Sequence, residues 1–340
     1  MSKPEINVCP GTLAEGFTTY SPTCLKRVFD GRKVSHVLPY NAPDVSEEDA
    51  EKFLQNRKRL SISGVQEKVS LLLEKNNLRL TEEGEQGTYI LKPIPRDLRK
   101  VAQVPANEHL TMQIARQVFD INTAENALIF FKNGEPAYIT KRFDVAEDGK
   151  KIGNEDFATL AGKTAETAGP NFKYEYSYEE MADLVQQYIP AAMVELEKLF
   201  SLIVFNYLIC NGDAHLKNYG VLETKQGDYI LSPAYDLINT SLHVDDTAMA
   251  LDEGLFKDDY TTESFEANAF YAYDDFYEFG LKIGLVKSRI IKILNKFRSN
   301  SKRVQSLTER SFLNDEMKKA YMDSYLNKLK ALDYSMADRI

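Results

Sequence analysis

Short apolar runs bounded by turn residues dominate the first 143 residues, and this pattern predicts β-strands. The predicted strands cover residues 69 to 74, 78 to 80, 88 to 92, 127 to 132 and 135 to 141. The last two flank Asn133-Gly134, which is the strongest short signal for a hairpin. One predicted helix opens at Pro105, where proline is tolerated, and places Leu110 and Ile114 on one face. The first part of the chain is therefore expected to mix α and β structure.

Helical periodicity takes over after residue 144. The predicted helices cover residues 177 to 190, 191 to 210, 286 to 297 and 316 to 332. Ser177 and Glu180 form a capping box at the start of the first of these helices. The second is apolar on nearly all sides from Leu199 onward, which predicts a buried position. A hairpin with its tip near Gln226-Gly227 is the one strand signal that we find in this part.

Three segments lack these patterns. Residues 1 to 45 contain several glycines and prolines and are expected to be irregular, with at most short strands and turns. Residues 46 to 60 begin with acidic and end with basic residues, which favours a short helix. Residues 244 to 276 are rich in Asp, Glu, Tyr and Phe, which indicates an acidic, solvated loop or a rim that faces a substrate.

The length of 340 residues exceeds the roughly 250 to 300 residues that one hydrophobic core usually supports. We therefore predict two lobes, a mixed α/β lobe over residues 1 to 143 and an all-helical lobe over residues 144 to 340. A hydrophobic content of 43% and a charged content of 27% are ordinary for a globular protein.

Charge and cysteine content indicate which partners and which cellular compartment to expect. A net charge of -9 argues against a broad nucleic-acid-binding face, so any DNA contact is expected to come through a partner. Neither a secretory leader nor an apolar run long enough to cross a membrane is visible, which favours the cytoplasm. Cys9, Cys24 and Cys210 are odd in number and widely spaced, as expected for reduced thiols.

The candidate chemistry lies in a turn between the apolar helix and the hairpin. Asp213 and Asn218 stand five positions apart there, as do the proton-accepting aspartate and the magnesium-binding asparagine of protein kinases. Asp236 follows 18 positions after Asn218, behind the hairpin, where kinases place a second magnesium-binding aspartate. On spacing alone, two unrelated surface loops with carboxylates would explain the pattern equally well.

The first lobe offers matching nucleotide-binding elements. Lys92 ends a strand and Glu108 lies in the following helix, which is the order of the lysine and glutamate that pair in kinases. Residues 61 to 68 form a small, flexible loop before a hairpin that could close over phosphates, although a plain turn is the alternative. The strand that ends near Lys141 leads into an extended segment, where a kinase binds adenine.

Seven motifs in order resemble the HipA family of bacterial serine/threonine kinase toxins. They are Ser61-Ile62-Ser63-Gly64-Val65-Gln66-Glu67-Lys68, Tyr89-Ile90-Leu91-Lys92-Pro93, Asn107-Glu108-His109, Lys141-Arg142-Phe143-Asp144, Asn154-Glu155-Asp156-Phe157, Asn211-Gly212-Asp213-Ala214-His215-Leu216-Lys217-Asn218 and Pro233-Ala234-Tyr235-Asp236. The resemblance implies an α+β fold, a bilobal protein-kinase-like fold of the HipA type with a mixed α/β N-lobe and an all-α C-lobe.

The resemblance also implies roles for individual residues. Asp213 would accept the proton of the substrate hydroxyl, Asn218 and Asp236 would bind Mg²⁺, and Glu108 would orient Lys92. The implied contacts to ATP are Ile62, Ser63, Gly64, Val65, Gln66, Glu67, Lys92, Lys141, Arg142, Phe143, His215, Lys217 and Tyr235. Ser61 and Ser63 resemble the autophosphorylation serines of the HipT branch, where added phosphate would repel the phosphates of ATP and inactivate the enzyme.

The family further implies partners and a substrate. Its members phosphorylate aminoacyl-tRNA synthetases, glutamyl- or tryptophanyl-, and the chain resembles the branch that works with a HipB-like DNA-binding antitoxin and a small HipS-like protein. Compared with full-length members, it reaches its catalytic loop early and is expected to lack the small N-terminal subdomain. The alternatives are a small-molecule kinase of related fold and a catalytically idle binding module.

Overall fold

The computed structural model describes residues 6 to 42, 68 to 95 and 98 to 336. The helix predicted for residues 46 to 60 and the predicted phosphate-binding loop, from Ser61 to Glu67, lie outside these ranges. Contacts group the chain into two compact units. The first comprises Met1–Gln113, Ala124–Lys151 and Ser306–Lys318, and the second comprises Ile114–Thr123, Ile152–Gln305 and Lys319–Ile340. Each unit is built from three separate stretches of the chain. The single domain boundary at residue 143 therefore stays a prediction.

The first unit contains a five-stranded antiparallel sheet. Its strands are β1 (Val69–Glu74), β2 (Asn77–Leu80), β3 (Tyr89–Lys92), β4 (Asn126–Phe130) and β5 (Pro136–Lys141). Their order is β2-β1-β3-β5-β4, so β3 and its terminal Lys92 lie at the centre of the sheet. In this register Lys92 is opposite Tyr138. The five strands and both hairpins predicted for this region are confirmed.

The segment before the sheet contains a helix that the sequence pattern did not predict. Helix α1 (Pro22–Val28) begins after Ser21, whose hydroxyl accepts a hydrogen bond from the Cys24 N–H at 3.2 Å. It packs on the sheet core, where Tyr89 donates to the Val28 carbonyl at 2.8 Å. Seven residues are too few for a visible helical period, so only Ser21-Pro22 marks this helix in the sequence.

The predicted helix after the strands is confirmed as α2 (Val104–Phe119). It starts one residue before Pro105, as expected for a proline that needs no intrahelical donor. Leu110 and Ile114 are fully buried, and Lys92, Asn107 and Glu108 are buried polar residues. The helix thus carries polar groups into the interior near the end of β3.

The second unit is helical apart from one small sheet. Its helices are α3 (Phe157–Leu160), α4 (Ala165–Ala168), α5 (Tyr178–Tyr188), α6 (Ala192–Leu208), α7 (Glu263–Asn268), α8 (Tyr273–Lys282), α9 (Lys287–Arg298), α10 (Ser301–Glu309) and α11 (Asp315–Asp333). The end of α10 and the start of α11 belong to the first unit. The capping box at α5 is present, since Ser177 and Glu180 exchange hydrogen bonds of 3.1 and 2.8 Å. Helix α6 is central, with Leu199 and Ile203 fully buried.

The small sheet joins three short strands, β6 (Asn154–Asp156), β7 (Gly220–Glu223) and β8 (Tyr229–Leu231). The β7–β8 hairpin was predicted, whereas β6 was not, because it pairs with β7 across more than 60 intervening residues. Glu195 of α6 supports the sheet, since its buried carboxylate accepts a hydrogen bond from the Leu231 N–H at 3.1 Å. The hairpin that separates the two candidate catalytic segments is therefore anchored to the central helix.

The acidic segment at residues 244 to 276 matches the prediction of a solvated loop or a substrate-facing rim only in part, since its first half is irregular and many of its residues are exposed. Its second half forms α7 and the start of α8. Asp275 is fully buried and accepts hydrogen bonds from Ser264 Oγ at 3.0 Å and from the Ala272 N–H at 2.6 Å. Some of the acidic residues thus cap helices instead of facing solvent. No helix in the described ranges is long and apolar enough to cross a membrane.

Candidate active site

The end of helix α6 fixes the turn that carries the predicted catalytic aspartate. The helix stops at Leu208, and Cys210 then adopts a left-handed conformation with φ of 57°. Thr240 holds the turn, because its Oγ1 accepts a hydrogen bond from the Gly212 N–H at 2.8 Å and donates to the Cys210 carbonyl at 3.0 Å. The turn is therefore tied to a segment beyond the β7–β8 hairpin.

Buried amide side chains support the same turn. Asn211 donates to Asn206 Oδ1 at 3.0 Å, and Asn206 in turn donates to the Tyr219 hydroxyl at 2.9 Å. Asn206 and Asn211 are each 3% exposed, so these bonds form away from solvent. Buried polar networks of this kind specify one conformation when their members are satisfied.

Gly212 allows an acidic side chain to lie against the catalytic turn. A Cβ at this position would lie 2.6 Å from Asp246 Cγ, so any larger residue would displace the Asp246 side chain. Asp246 is exposed and belongs to the acidic segment at residues 244 to 276. The first half of that segment thus borders the candidate site.

Asp213 projects from this turn with its side chain 54% exposed. Its Oδ1 accepts a hydrogen bond from the Tyr174 hydroxyl at 2.6 Å, and its N–H donates to Asn211 Oδ1 at 3.3 Å. Exposure of the carboxylate allows a substrate hydroxyl to approach it. Tyr174 was not among the predicted site residues.

Asn218 closes the short 3₁₀ turn that follows. Its Oδ1 accepts a hydrogen bond from the His215 N–H at 3.2 Å within the turn Leu216–Asn218. The Leu216 N–H donates to the Lys173 carbonyl at 3.1 Å, so the turn also contacts the segment that carries Tyr174. An amide oxygen has a second lone pair, and Asn218 therefore retains capacity for a further ligand.

His215 is buried beside Asp213 and is uncharged at neutral pH. Burial lowers the pKa of His215 to about 4, with Lys173 acting in the same direction and the carboxylates of Asp213 and Asp236 opposing it. Its Nδ1 has no hydrogen-bond partner within the described part of the chain. A neutral imidazole with an unused ring nitrogen is available to a ligand as donor or acceptor.

Asp236 stands on a constrained turn near this loop. It adopts a left-handed conformation with φ of 56°, and the preceding segment is held by a hydrogen bond of 2.8 Å from the Ala234 N–H to the Asn122 carbonyl. Tyr235 donates to the Lys217 carbonyl at 2.8 Å, which joins the two predicted motifs directly. Asp213, His215, Lys217, Asn218, Tyr235 and Asp236 thus gather in one unit.

Asn218 and Asp236 carry side-chain oxygens of the type that Mg²⁺ binds, and their role as magnesium ligands stays a prediction. Mg²⁺ prefers oxygen ligands and is usually held by one or two carboxylates together with substrate phosphates and water. The described residues contain no group of three or more His, Cys, Asp or Glu side chains that could hold a metal by themselves.

In the first unit, Lys92 and Glu108 form the ion pair that the order of elements predicts. Lys92 Nζ lies 2.5 Å from Glu108 Oε1, and the two side chains are 3% and 2% exposed. Lys92 Nζ also lies 5.3 Å from the centroid of the Tyr138 ring. Burying two charges is expensive, so such a pair commonly marks a functional site.

The predicted adenine-binding segment uses several of its polar groups within the protein. The Lys141 N–H donates to the Glu125 carbonyl at 2.7 Å and the Arg142 N–H to the Thr88 carbonyl at 2.8 Å. The Lys141 side chain pairs with Asp30 at 2.6 Å. The Arg142 side chain pairs with Asp144, with Nε to Oδ1 at 2.9 Å. Nucleotide contacts by Lys141, Arg142 and Phe143 stay predictions, and the N–H groups of Lys141 and Arg142 already have partners.

Three residues at the site escaped the sequence analysis. Tyr174, Thr240 and Asp246 reach the catalytic turn from segments 39, 28 and 34 positions away, respectively, along the chain. No local pattern distinguishes these residues from their neighbours. Only contacts made by the folded chain identify them.

Comparison with known proteins agrees with this geometry. The HipA-like C-terminal domain family matches residues 60–304, and the chain therefore belongs to this family. A Haemophilus influenzae protein whose name describes it as a candidate kinase is 28% identical over 338 residues, which are 94% of this chain and 94% of that protein.

More distant relatives include a named toxin. The serine/threonine-protein kinase toxin HipA of Shewanella oneidensis is 26% identical over 242 residues, which are 63% of this chain and 49% of the toxin. A solved structure of Shewanella oneidensis HipA with HipB and operator DNA superposes with a TM-score of 0.60 at 22% identity. The match covers 79% of this chain and 63% of that one. The fold is thus that of the HipA kinases, an α/β part with a helical C-terminal part.

The buried ion pair gives a first testable prediction, on stability. Replacing Lys92→Met leaves Glu108 buried without this cation and should lower the free energy of unfolding by about 3–5 kcal/mol. The double variant Lys92→Met/Glu108→Leu should recover most of this loss, since two apolar groups need no partner. Urea unfolding measures both changes.

Lys141→Met is the matched control for this experiment. The Lys141–Asp30 pair has side chains that are 29% and 60% exposed, and such a surface pair contributes about 1 kcal/mol or less. An equal loss in the Lys92 and Lys141 variants would contradict the importance of the buried pair.

The buried histidine gives a second prediction, on pH dependence. His215 has a pKa near 6.5 in the unfolded chain and about 4 in the folded protein. Between these values the unfolded chain binds the proton first, so the free energy of unfolding falls as the pH falls, by at most about 1.4 kcal/mol per pH unit. The His215→Gln variant should show a shallower slope between pH 6.5 and 4 in urea unfolding. Parallel slopes in the two proteins would contradict the lowered pKa.

Proposed function

We propose that this chain is an ATP- and magnesium-dependent serine/threonine protein kinase of the HipA type. The observation that carries the proposal is the buried Lys92–Glu108 pair, with Nζ and Oε1 2.5 Å apart. Such a pair orients a lysine toward nucleotide phosphates in protein kinases. It occurs in a chain whose second unit gathers Asp213, Asn218 and Asp236.

The proposed reaction transfers the γ-phosphoryl group of ATP to a hydroxyl. The acceptor oxygen bonds to the γ-phosphorus, the bond from that phosphorus to the β–γ bridging oxygen breaks, and ADP leaves. Asp213 accepts the proton of the acceptor hydroxyl. Asn218 and Asp236 would hold Mg²⁺, which neutralises charge on the phosphates when it is bound.

Other residues of the chain would position the nucleotide. Lys92 binds phosphate oxygens, and Glu108 keeps its ammonium group in place. His215 offers a neutral ring nitrogen, and Tyr235 fixes Lys217 through its carbonyl. These roles follow from the family resemblance and the contacts within each unit.

We further propose that the kinase acts as the toxin of a toxin–antitoxin system and modifies an aminoacyl-tRNA synthetase, glutamyl- or tryptophanyl-. The solved relative is a HipA toxin in complex with HipB and operator DNA. A HipB-like antitoxin is therefore the first partner to seek. A small HipS-like protein is the second, because the Ser61-Ile62-Ser63 motif resembles the HipT branch.

Phosphate transfer tests the assignment of Asp213. Purified wild-type protein with ATP and Mg²⁺ should gain phosphate in intact-mass measurements, whereas Asp213→Asn should lose about 10²- to 10⁴-fold in rate. The control is Asp228→Asn, which removes an exposed carboxylate from the β7–β8 hairpin and should leave the rate unchanged. Equal rates for wild type and Asp213→Asn would refute the role of this residue.

Self-inactivation depends on the two serines before the first strand. The Ser61→Ala/Ser63→Ala variant should acquire no phosphate on this loop, and it should retain ATP affinity after incubation with ATP and Mg²⁺. Wild-type protein should lose affinity as phosphate accumulates, because the added charge repels the nucleotide. Peptide mapping by mass spectrometry identifies the modified residue. Phosphate found only on other residues would contradict the assignment of autophosphorylation to Ser61 and Ser63.

A further inference from the structure

The hydroxyl of Tyr174 holds one oxygen of the proposed catalytic base. It donates to Asp213 Oδ1 at 2.6 Å, a length typical of a hydrogen bond from a neutral hydroxyl to a charged carboxylate. Tyr174 lies 39 positions before Asp213 and belongs to no motif that the family resemblance assigns. The family resemblance therefore does not explain the contact between Tyr174 and Asp213.

Tyr174 is itself held from several sides. Its N–H donates to the Asn171 carbonyl at 2.8 Å, and its carbonyl accepts from the Asp252 N–H at 2.9 Å. The Lys173 ammonium lies 4.8 Å from the centroid of its ring, and the His215 ring meets it edge-on at 5.3 Å. A hydroxyl fixed in this way can define the position of its acceptor.

The other candidate for this task lies too far away. His215 Nε2 is 3.8 Å from Asp213 Oδ1, which exceeds a hydrogen bond. Within the described ranges, no hydrogen bond reaches Asp213 Oδ2, and the side chain is 54% exposed. One carboxylate oxygen is thus engaged by Tyr174 and the other is open to a substrate.

We propose that Tyr174 is a positioning residue for Asp213. It fixes Oδ1 and thereby leaves Oδ2 to accept the proton of the substrate hydroxyl. This inference rests on the proposed kinase function. A fixed base reduces the reorganisation that proton transfer requires, so the hydroxyl contributes to the chemical step and not to ATP binding.

The Tyr174 hydroxyl stays a donor in this contact. Tyr174 keeps its proton, since burial, the bond to Asp213 and the nearby carboxylates of Asp246 and Asp252 raise the pKa of its hydroxyl. The other titratable groups around this pair are His215, Lys173 and Asp236.

The Tyr174→Phe variant removes the hydroxyl and keeps the ring contacts. We expect kcat to fall roughly tenfold, in line with the loss of one hydrogen bond to a charged group, and KM for ATP to change less than twofold. Phosphate incorporation into a synthetase substrate or into the chain itself provides the rate.

Tyr176→Phe is the matched control. Tyr176 lies two residues further along the same segment and is also partly buried, and its ring faces Lys163 at 5.2 Å instead of the catalytic turn. Its variant should keep the wild-type kcat and the wild-type KM for ATP. An effect equal to that of Tyr174→Phe would show that the segment as a whole, and not the hydroxyl, matters.

The possible outcomes separate this inference from the proposed function. An inactive wild-type protein overturns the proposed function itself. An active wild type with an unchanged Tyr174→Phe variant overturns only the role of Tyr174. A faster variant also overturns it, since the hydroxyl would then block the base.

A second substitution covers the case in which Tyr174→Phe fails to fold. Incorporation of 3-fluorotyrosine at residue 174 keeps the shape of the side chain and makes its hydroxyl a stronger donor. Its kcat should then stay within about twofold of the wild-type value, in contrast to the roughly tenfold loss expected for phenylalanine. A tenfold loss in this variant would overturn the proposal.

Discussion

The short turn after helix α6 has to present one exposed carboxylate while the helix that carries it stays buried. A left-handed residue at Cys210, the hydrogen bonds of Thr240 and the close approach of Asp246 to Gly212 all meet within three residues. The last two of these features come from residues that lie beyond the β7–β8 hairpin. The position of Asp213 is therefore set by tertiary contacts more than by the turn sequence itself.

The two units contribute different chemistry. The first buries a cation and an anion together at Lys92 and Glu108, at a cost in desolvation that only a good contact offsets. The second keeps a carboxylate exposed and a histidine neutral. A fixed ammonium group suits phosphate binding, whereas an exposed carboxylate suits proton transfer, and the HipA-like family membership agrees with this division of labour.

Sequence reasoning succeeded where the signal is local. Asn133-Gly134 marked a hairpin, the Ser177 capping box marked α5, and apolar periodicity marked α6 and α11. It missed α1, which is too short to show a period, and β6, which forms only by pairing with distant β7. Local patterns contain no information about such partners.

The residues of the candidate site were likewise predictable only where a local sequence pattern marks them. The spacing of Asp213, Asn218 and Asp236 and the order of Lys92 and Glu108 were visible in the sequence. Tyr174 was not, because its contact with Asp213 joins residues 39 positions apart. Asp275 was predicted wrongly for the same reason. The composition of its segment predicted exposure to solvent, whereas the folded chain buries its carboxylate and supplies three hydrogen-bond donors to it.

The left-handed backbone at Asp236 restricts what evolution or an experimenter can place there. Among residues with a side chain, asparagine and aspartate enter this region at the least steric cost, and β-branched residues enter it at the greatest. Replacement by glutamate would therefore add steric strain at this turn and would also change the reach of the carboxylate. Asparagine is the exchange that removes the negative charge and leaves the backbone conformation in place.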